Sequence, residues 1–228
     1  MATIDEQADA YQSSRRRIVA FARDLDVVQL ATTVTCCPQW TAKDLLGHLT
    51  GVLEDRGAGR LPSGGFEEWT ATQVARHRDE AVVEILDRWE SLSVERDDSR
   101  PSLAALSFDV VTHEHDLFQA LGVDADRASE SVLVGVQRAK ERMSSMLAES
   151  SPGVIVTTED GTETIGGALP PIGLRTSRFL LMRLVTGRMS RRQAESLAWT
   201  GNPAPVIDAL GADAFFTLQP NDVDAIAI

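Results

Sequence analysis

Apolar residues recur at helical spacing along most of the first two-thirds of the chain. In the segment near residues 5–30, Tyr11, Ile18, Ala22 and Leu25 fall at intervals of seven, four and three positions. The same kind of pattern predicts further helices over 41–55, 67–94 with a break near 77–79, 102–121 and 128–148. Glycine, proline and clustered polar residues indicate the connections between them at 31–39, 57–65 and 97–101.

The pattern changes after the Ser-Ser-Pro-Gly run at 150–153. Residues 154–158 are all β-branched and predict a strand, which a turn at 159–161 joins to a return strand at 162–165. Helices are predicted over 177–186 and 190–199, a loop over 166–173, and short helix and loop in the tail. The chain is therefore predicted to be mainly α. A helical domain at 1–150 precedes a small α/β domain at 151–228.

Composition narrows the class of protein. The net charge is −12, and no basic stripe is present, so the 228-residue chain is not expected to bind nucleic acid. No run approaches the roughly 20 consecutive apolar residues that a membrane span needs. The two cysteines, Cys36 and Cys37, are adjacent, and neighbouring cysteines rarely form a disulfide. We expect a cytoplasmic protein that relies on its hydrophobic core.

Three residues suggest a metal site. Asp109 and His113 are four positions apart within a predicted helix, so their side chains lie on one face. His48 lies in a second predicted helix, which begins after Trp40 with Thr41 as its N-cap and Asp44 three residues later. If the two helices pack together, two imidazoles and one carboxylate can meet at one divalent cation and leave coordination positions open.

Each of these residues also has a simpler interpretation. A lone histidine among leucines, such as His48, is usually a core residue with one satisfied hydrogen bond. An aspartate in an apolar helix, such as Asp109, is costly to bury unless a cation compensates it, which favours the metal site. His115 is two positions from His113 and points to another face, so it is expected to pack or orient a neighbour. His77 lies in a polar run and is predicted to be at the surface.

The cysteines are not predicted to carry chemistry. The chain contains no Cys-x-x-Cys motif, and no histidine is adjacent to Cys36 or Cys37 in the sequence. Buried, unreactive cysteine is common in protein cores. We therefore expect both residues to pack in the connection that precedes the Trp40–Thr41 helix start. The chain also lacks a glycine-rich phosphate loop and a serine nucleophile elbow.

Several segments resemble the mycothiol-dependent maleylpyruvate isomerase family, within the wider group of DinB-like metal-binding four-helix bundles. The stretch from Cys37 to Leu49, CPQWTAKDLLGHL, is similar to the family's opening motif. Its second metal motif is a carboxylate, three residues, a histidine and, three residues later, aspartate and leucine. Asp109, His113, Asp116 and Leu117 match this motif. The segments 184–193 and 199–203 resemble the C-terminal part of the family, so the resemblance covers most of the chain.

The resemblance implies a fold and a site. It implies a DinB-like four-helix bundle in which His48, Asp109 and His113 hold a divalent metal, usually zinc, with mycothiol bound to that metal as its thiolate. The family commonly has glutamate where this chain has Asp109, which is one methylene shorter. Arg183 and Arg188, near the C-terminus, are candidates for binding an acidic group of the thiol cofactor or substrate.

The hypothesis is a metal-dependent enzyme that uses a low-molecular-weight thiol as its nucleophile, either an isomerase or a thiol S-transferase. Its expected partners are that thiol and an electrophilic substrate, and the chain is expected to be a monomer or homodimer. Two alternatives stay open. One is a non-catalytic metal-binding or small-molecule-binding regulatory module. The other is a metal-dependent hydrolase that uses the same residues with metal-bound water.

Overall fold

The computed structural model describes residues 2–60, 65–97, 102–147, 151–212 and 217–223. It divides into two compact units, Met1–Asp126 and Arg127–Ile228. The elements of the first unit are α1 Ile4–Ala22, α2 Val27–Leu30, β1 Thr33–Val34, β2 Cys37–Thr41, α3 Ala42–Gly57, α4 Phe66–His77, α5 Val82–Ser91 and α6 Leu103–Ala120. Those of the second are α7 Glu130–Met146, β3 Pro152–Thr158, β4 Gly161–Ile165, β5 Leu169–Arg175, α8 Arg178–Val185, α9 Arg191–Glu195, β6 Ala198–Thr200 and α10 Ala204–Gly211.

The first unit is helical, as the apolar spacing predicts. Helix α3 lies against α4, α5 and α6, while α1 packs on α6. Their apolar faces enclose one core, in which Trp89 is fully buried and its indole N–H donates to the Tyr11 hydroxyl at 2.9 Å. The predicted break between α4 and α5 is confirmed at residues 78–81. None of the helices in the described ranges is both long and apolar enough to cross a membrane.

The start of α3 follows the predicted capping chemistry. The Thr41 hydroxyl accepts from the Asp44 backbone N–H at 3.1 Å, and the Asp44 carboxylate accepts from the Thr41 backbone N–H at 2.9 Å. These reciprocal bonds satisfy two donors that a helix start leaves open. The connection at 31–39 contains a short antiparallel hairpin, β1–β2, which pairs Thr33 with Thr41. The hairpin delivers Trp40 to the beginning of α3.

The second unit contains a four-stranded sheet in the order β4-β3-β5-β6. The predicted hairpin is confirmed, since β3 and β4 pair antiparallel with Thr158 opposite Gly161. Strand β5 lies on the other side of β3 and runs parallel to it. The chain passes from β4 to β5 at Gly167, which has φ +72, and a Cβ there would lie 2.3 Å from the Gly153 backbone nitrogen. Only glycine fits this close approach.

The predicted loop at 166–173 is wrong from Leu169 onward, where β5 begins. The segment contains Pro170, Pro171 and Gly173, which are unfavourable in a central strand. The register between β3 and β5 shifts between Pro152 and Val154, and the two prolines lie opposite this irregularity. The β3–β5 ladder therefore does not need the backbone N–H groups that the two prolines lack. The pairing partner, which is distant in sequence, makes this segment a strand.

The predicted helix at 190–199 is too long. Helix α9 ends at Glu195, and residues Ala198–Thr200 form β6, which pairs antiparallel with the end of β5. The Gly173 backbone N–H also donates to the Thr200 hydroxyl at 2.9 Å. Because a three-residue strand has no periodicity of its own, the sheet edge decides its conformation.

The first unit ends at Asp126 and the second begins at Arg127, before α7, whereas the sequence pattern predicts a boundary near residue 150. Helix α7 packs against α8, α10 and β4, all in the second unit. The compositional change at 150–153 therefore marks the change from helix to strand within that unit. Parts of the predicted connections, at 61–64, 98–101 and 150, lie outside the described residues.

Candidate metal centre

The structure brings the three predicted ligands together. His48 lies in the middle of α3, and Asp109 and His113 lie one turn apart on α6. His48 Nε2 is 3.5 Å from Asp109 Oδ2, and His113 Nε2 is 3.5 Å from Asp109 Oδ1. One donor atom of each residue lies within 4.8 Å of the other two. That these residues hold a metal ion remains a prediction.

The donor set fits a zinc-type ion. Two atoms that are each about 2.1 Å from a tetrahedral zinc lie roughly 3.4 Å apart, close to the two observed separations. The histidines are 1% and 5% exposed, while the Asp109 side chain is 25% exposed. Because only the carboxylate reaches solvent, an ion here would be approached from the side of Asp109. Three protein ligands also leave at least one of zinc's four positions open.

The second ring nitrogen of each imidazole lies close to a side-chain oxygen. His48 Nδ1 lies 2.8 Å from the Gln73 side-chain oxygen on α4. His113 Nδ1 lies 3.1 Å from Oδ2 of Asp116, which is buried one turn further along α6. Such outer partners orient the ring and determine which nitrogen faces the ion. Both Nε2 atoms face Asp109.

Trp40 covers the two imidazoles on one side. Its ring centroid lies 4.7 Å from that of His48 and 5.9 Å from that of His113. The half-buried indole also packs against the core of the first unit. An apolar wall beside the donor set limits access of water and strengthens electrostatic interactions within the site.

The acidic and histidine residues around His113 have separate roles. Glu114 is buried and forms an ion pair with Arg17 of α1, whose Nη2 donates to Oε2 at 2.8 Å. Glu114 thus joins α6 to α1. His115 is buried but belongs to no cluster of potential metal ligands among the described residues. That His115 is not a metal ligand remains a prediction.

The prediction that His77 lies at the surface is wrong, because its side chain is only 2% exposed. Its two ring nitrogens lie 3.3 Å from Glu54 and 3.1 Å from Glu80. A Cβ on Gly47 of α3 would lie 3.1 Å from the His77 Cβ, so the two helices approach closely here. The polar neighbours of His77 in the sequence give no indication of this contact.

Sequence reasoning missed two features of the site. Gln73 lay in a helix with no evident link to His48, although glycines at Gly47 and Gly51 on the His48 helix indicate a close neighbour. Cys37 is half-buried, and one donor atom each of Cys37, His113 and Asp116 lie within 4.8 Å of one another. This thiol is therefore near the candidate site, although distant from both residues in sequence.

The two arginines that are candidates for binding an acidic group of the thiol or substrate lie in the second unit. Arg183 is in the last turn of α8 and is 1% exposed, with its guanidinium carbon 5.9 Å from the centre of the Phe179 ring. Arg188 follows in the turn after α8, is also buried, and donates to the Thr186 backbone oxygen at 2.7 Å. Their proposed role remains a prediction.

Comparisons with known proteins agree with the resemblance seen in the sequence. Residues 11–59 match the family model described as the mycothiol maleylpyruvate isomerase N-terminal domain. The crystal structure of the mycothiol-dependent maleylpyruvate isomerase is similar at a TM-score of 0.58 and 15% identity. A histidine-to-alanine variant of that enzyme is similar at a TM-score of 0.60 and 13% identity. Each comparison covers 90% of this chain and 99% of the other. No curated protein sequence matches the chain.

The family resemblance and the fold class predicted from the sequence are confirmed by these matches. The matched segment includes His48 with the Trp40–Thr41 helix start, and excludes Asp109 and His113. The fold is that of the maleylpyruvate isomerase structures, mainly α with a C-terminal α/β part.

Proposed function

We propose that the chain is a metal-dependent enzyme that uses a low-molecular-weight thiol, mycothiol, as its nucleophile, in an isomerase or S-transferase reaction. The observation that carries this proposal is the geometry at Asp109, whose two oxygens each lie 3.5 Å from one imidazole Nε2. The family match over 11–59 supports mycothiol as the thiol.

In this proposal the chain's residues hold the metal ion, orient the imidazole rings and shield the site from water. His48, Asp109 and His113 would hold the ion, and zinc fits two imidazoles and a carboxylate. Gln73 orients the His48 ring, Asp116 lies 3.1 Å from the second nitrogen of the His113 ring, and Trp40 would shield both rings from water. When bound, such a cation lowers the pKa of a coordinated thiol and so supplies a nucleophile at neutral pH.

The substrate is proposed to be an electrophile of the kind that a thiol attacks. Maleylpyruvate, which appears in the name of the structurally similar enzyme, is the first compound to assay. Because the chain carries a net charge of −12, binding an anionic substrate would need local positive charge. Arg183 and Arg188 are proposed for this role or for binding an acidic group of the thiol.

A cobalt-substituted protein tests the proposal directly. Adding mycothiol is expected to produce a sulfur-to-cobalt charge-transfer absorption, because thiolate sulfur is a favourable ligand for such ions. S-methylated mycothiol, which has no free thiol, is the matched control and should leave the spectrum unchanged. An unchanged spectrum with mycothiol on a cobalt-loaded protein would overturn the thiol proposal and favour the hydrolase. Failure to bind any divalent ion would favour a non-catalytic module.

We expect Asp109→Ala to weaken zinc binding sharply, because it removes the only carboxylate from the proposed donor set. Asp109→Glu should be tolerated and should bind zinc at least as tightly, since the 25% exposed side chain has room for one methylene. Competition with a chromophoric chelator measures both affinities. A zinc affinity that is unchanged in Asp109→Ala would show that this carboxylate does not contact the ion.

A further inference from the structure

A buried carboxylate lies behind the Gln73 side chain. Asp55, on α3, is 1% exposed. Its Oδ1 accepts from Arg60 Nε at 2.7 Å and from Arg76 Nη2 at 2.9 Å, and its Oδ2 accepts from Gln73 Nε2 at 2.9 Å. Burial by itself would raise the pKa of Asp55, but these three donors outweigh it and lower the pKa below its ordinary value. The carboxylate therefore stays ionised at neutral pH.

The charge state of Asp55 determines which way the Gln73 amide points. An ionised carboxylate accepts hydrogen bonds and cannot donate them, so the NH2 end of Gln73 must face it. The amide oxygen is then directed at His48 Nδ1, 2.8 Å away. Because an amide oxygen only accepts, the imidazole must carry its proton on Nδ1. In the neutral ring Nε2 then carries the lone pair, and it lies 3.5 Å from Asp109 Oδ2, beyond the usual hydrogen-bond range.

The packing of α4 on α3 holds Gln73 in place. Gln73 is fully buried, and a Cβ on Gly51 would lie 2.7 Å from the Gln73 Cβ and 3.2 Å from its Cα. Glycine inside a helix carries a stability cost relative to alanine. Gly51 allows the close approach of α4 that places Gln73 between Asp55 and His48.

We propose that Asp55 and Gln73 form a relay that holds His48 in the Nδ1–H tautomer, so that Nε2 is presented to a divalent cation. Both are positioning residues, because Gln73 contacts only the far side of the imidazole and Asp55 acts through Gln73. The purpose of the relay rests on the proposed function, whereas the tautomer is a property of the metal-free protein.

The test is the tautomer of His48 in the metal-free chain, measured by long-range nitrogen–proton NMR at pH 8, above the ordinary histidine pKa of about 6.5. The wild type is expected to show Nδ1–H. In Asp55→Asn the two arginines would keep the side-chain oxygen at the Oδ1 position, which places the new NH2 group toward Gln73. Gln73 then reverses, and His48 is expected to switch to Nε2–H.

Zinc affinity gives a second readout. Asp55→Asn should weaken zinc binding about 10–100-fold, the usual effect of losing an outer partner of a metal ligand. Glu54→Gln is the matched control, because Glu54 also accepts from Arg76, at 2.8 Å, and makes no hydrogen bond to Gln73. It should keep the wild-type tautomer and zinc affinity.

The relay is overturned if wild-type His48 carries its proton on Nε2, or if folded Asp55→Asn retains Nδ1–H. If Asp55→Asn does not fold, Gln73→Met decides, since it removes the amide and leaves Asp55 with its two arginines. That variant should lose the tautomer preference and bind zinc about 10–100-fold more weakly. A wild-type tautomer and affinity in it would equally overturn the relay. Since no thiol is present, failure of the relay and failure of the thiol proposal are distinguishable.

Discussion

Replacing His48 or His113 with alanine is expected to reduce bound zinc from one ion per chain to almost none. Each change removes one of three proposed ligands and leaves Asp109 facing a single imidazole. The loss should exceed the roughly 10–100-fold that follows removal of an outer partner, because a direct bond to the ion is lost. Elemental analysis of protein purified without chelators measures the stoichiometry.

His115→Ala is the control for this prediction. His115 lies on α6, is as buried as His113 at 5% exposed, and should keep its zinc because it belongs to no ligand cluster in the described chain. Circular dichroism on all three variants separates loss of metal from loss of fold. If His115→Ala alone strips the ion, the wrong histidine has been assigned. Wild-type protein without stoichiometric zinc, nickel, iron or cobalt would reject the site.

Turnover of an electrophilic substrate such as maleylpyruvate is expected to require added mycothiol. In the proposed site the protein supplies ligands and orientation, and the nucleophile comes from outside the chain. At fixed metal loading, turnover should therefore reach full activity with the thiol and fall to background without it. Equal turnover without any thiol would contradict both the isomerase and the transferase and would favour hydrolysis by metal-bound water.

A cysteine of the protein itself is the main alternative to an external thiol as the nucleophile, because Cys37 lies close to His113 and Asp116. Changing Cys36 and Cys37 together to alanine or serine is expected to reduce stability at most. The measurement is thiol-dependent turnover of the double variant with its zinc content and circular dichroism checked. Loss of turnover with fold and metal intact would identify a protein cysteine as the nucleophile.

The long helices were predictable because each carries its own signal. Apolar spacing and the Thr41–Asp44 cap are local properties, and α3 begins where they indicate. Strands β5 and β6 lack such signals. Two prolines mark the first as a loop, and Trp199 continues the apparent pattern of α9 into the second. Both became strands because a sheet partner elsewhere in the chain pairs with them.

The ligand trio was partly predictable for the same reason. Helical geometry alone places Asp109 and His113 on one face, and His48 was added as a histidine in a second predicted helix, which the family resemblance also indicated. The packing partners of α3 were not predictable, and with them the burial of His77 and the role of Gln73. Both depend on α4 lying against Gly47 and Gly51. A glycine in a helix indicates that something approaches closely and does not identify what approaches.

The sequence by itself determined the mainly helical class, the start of α3, the β3–β4 hairpin and the residue types of the candidate site. These follow from spacing, capping and turn chemistry within a few neighbouring residues. Only the tertiary structure decided that both Nε2 atoms face Asp109, that Cys37 lies beside His113, and that Gln73 lies between Asp55 and His48. The physical reason is that side-chain direction and proton position depend on partners supplied by other helices, which local sequence does not specify.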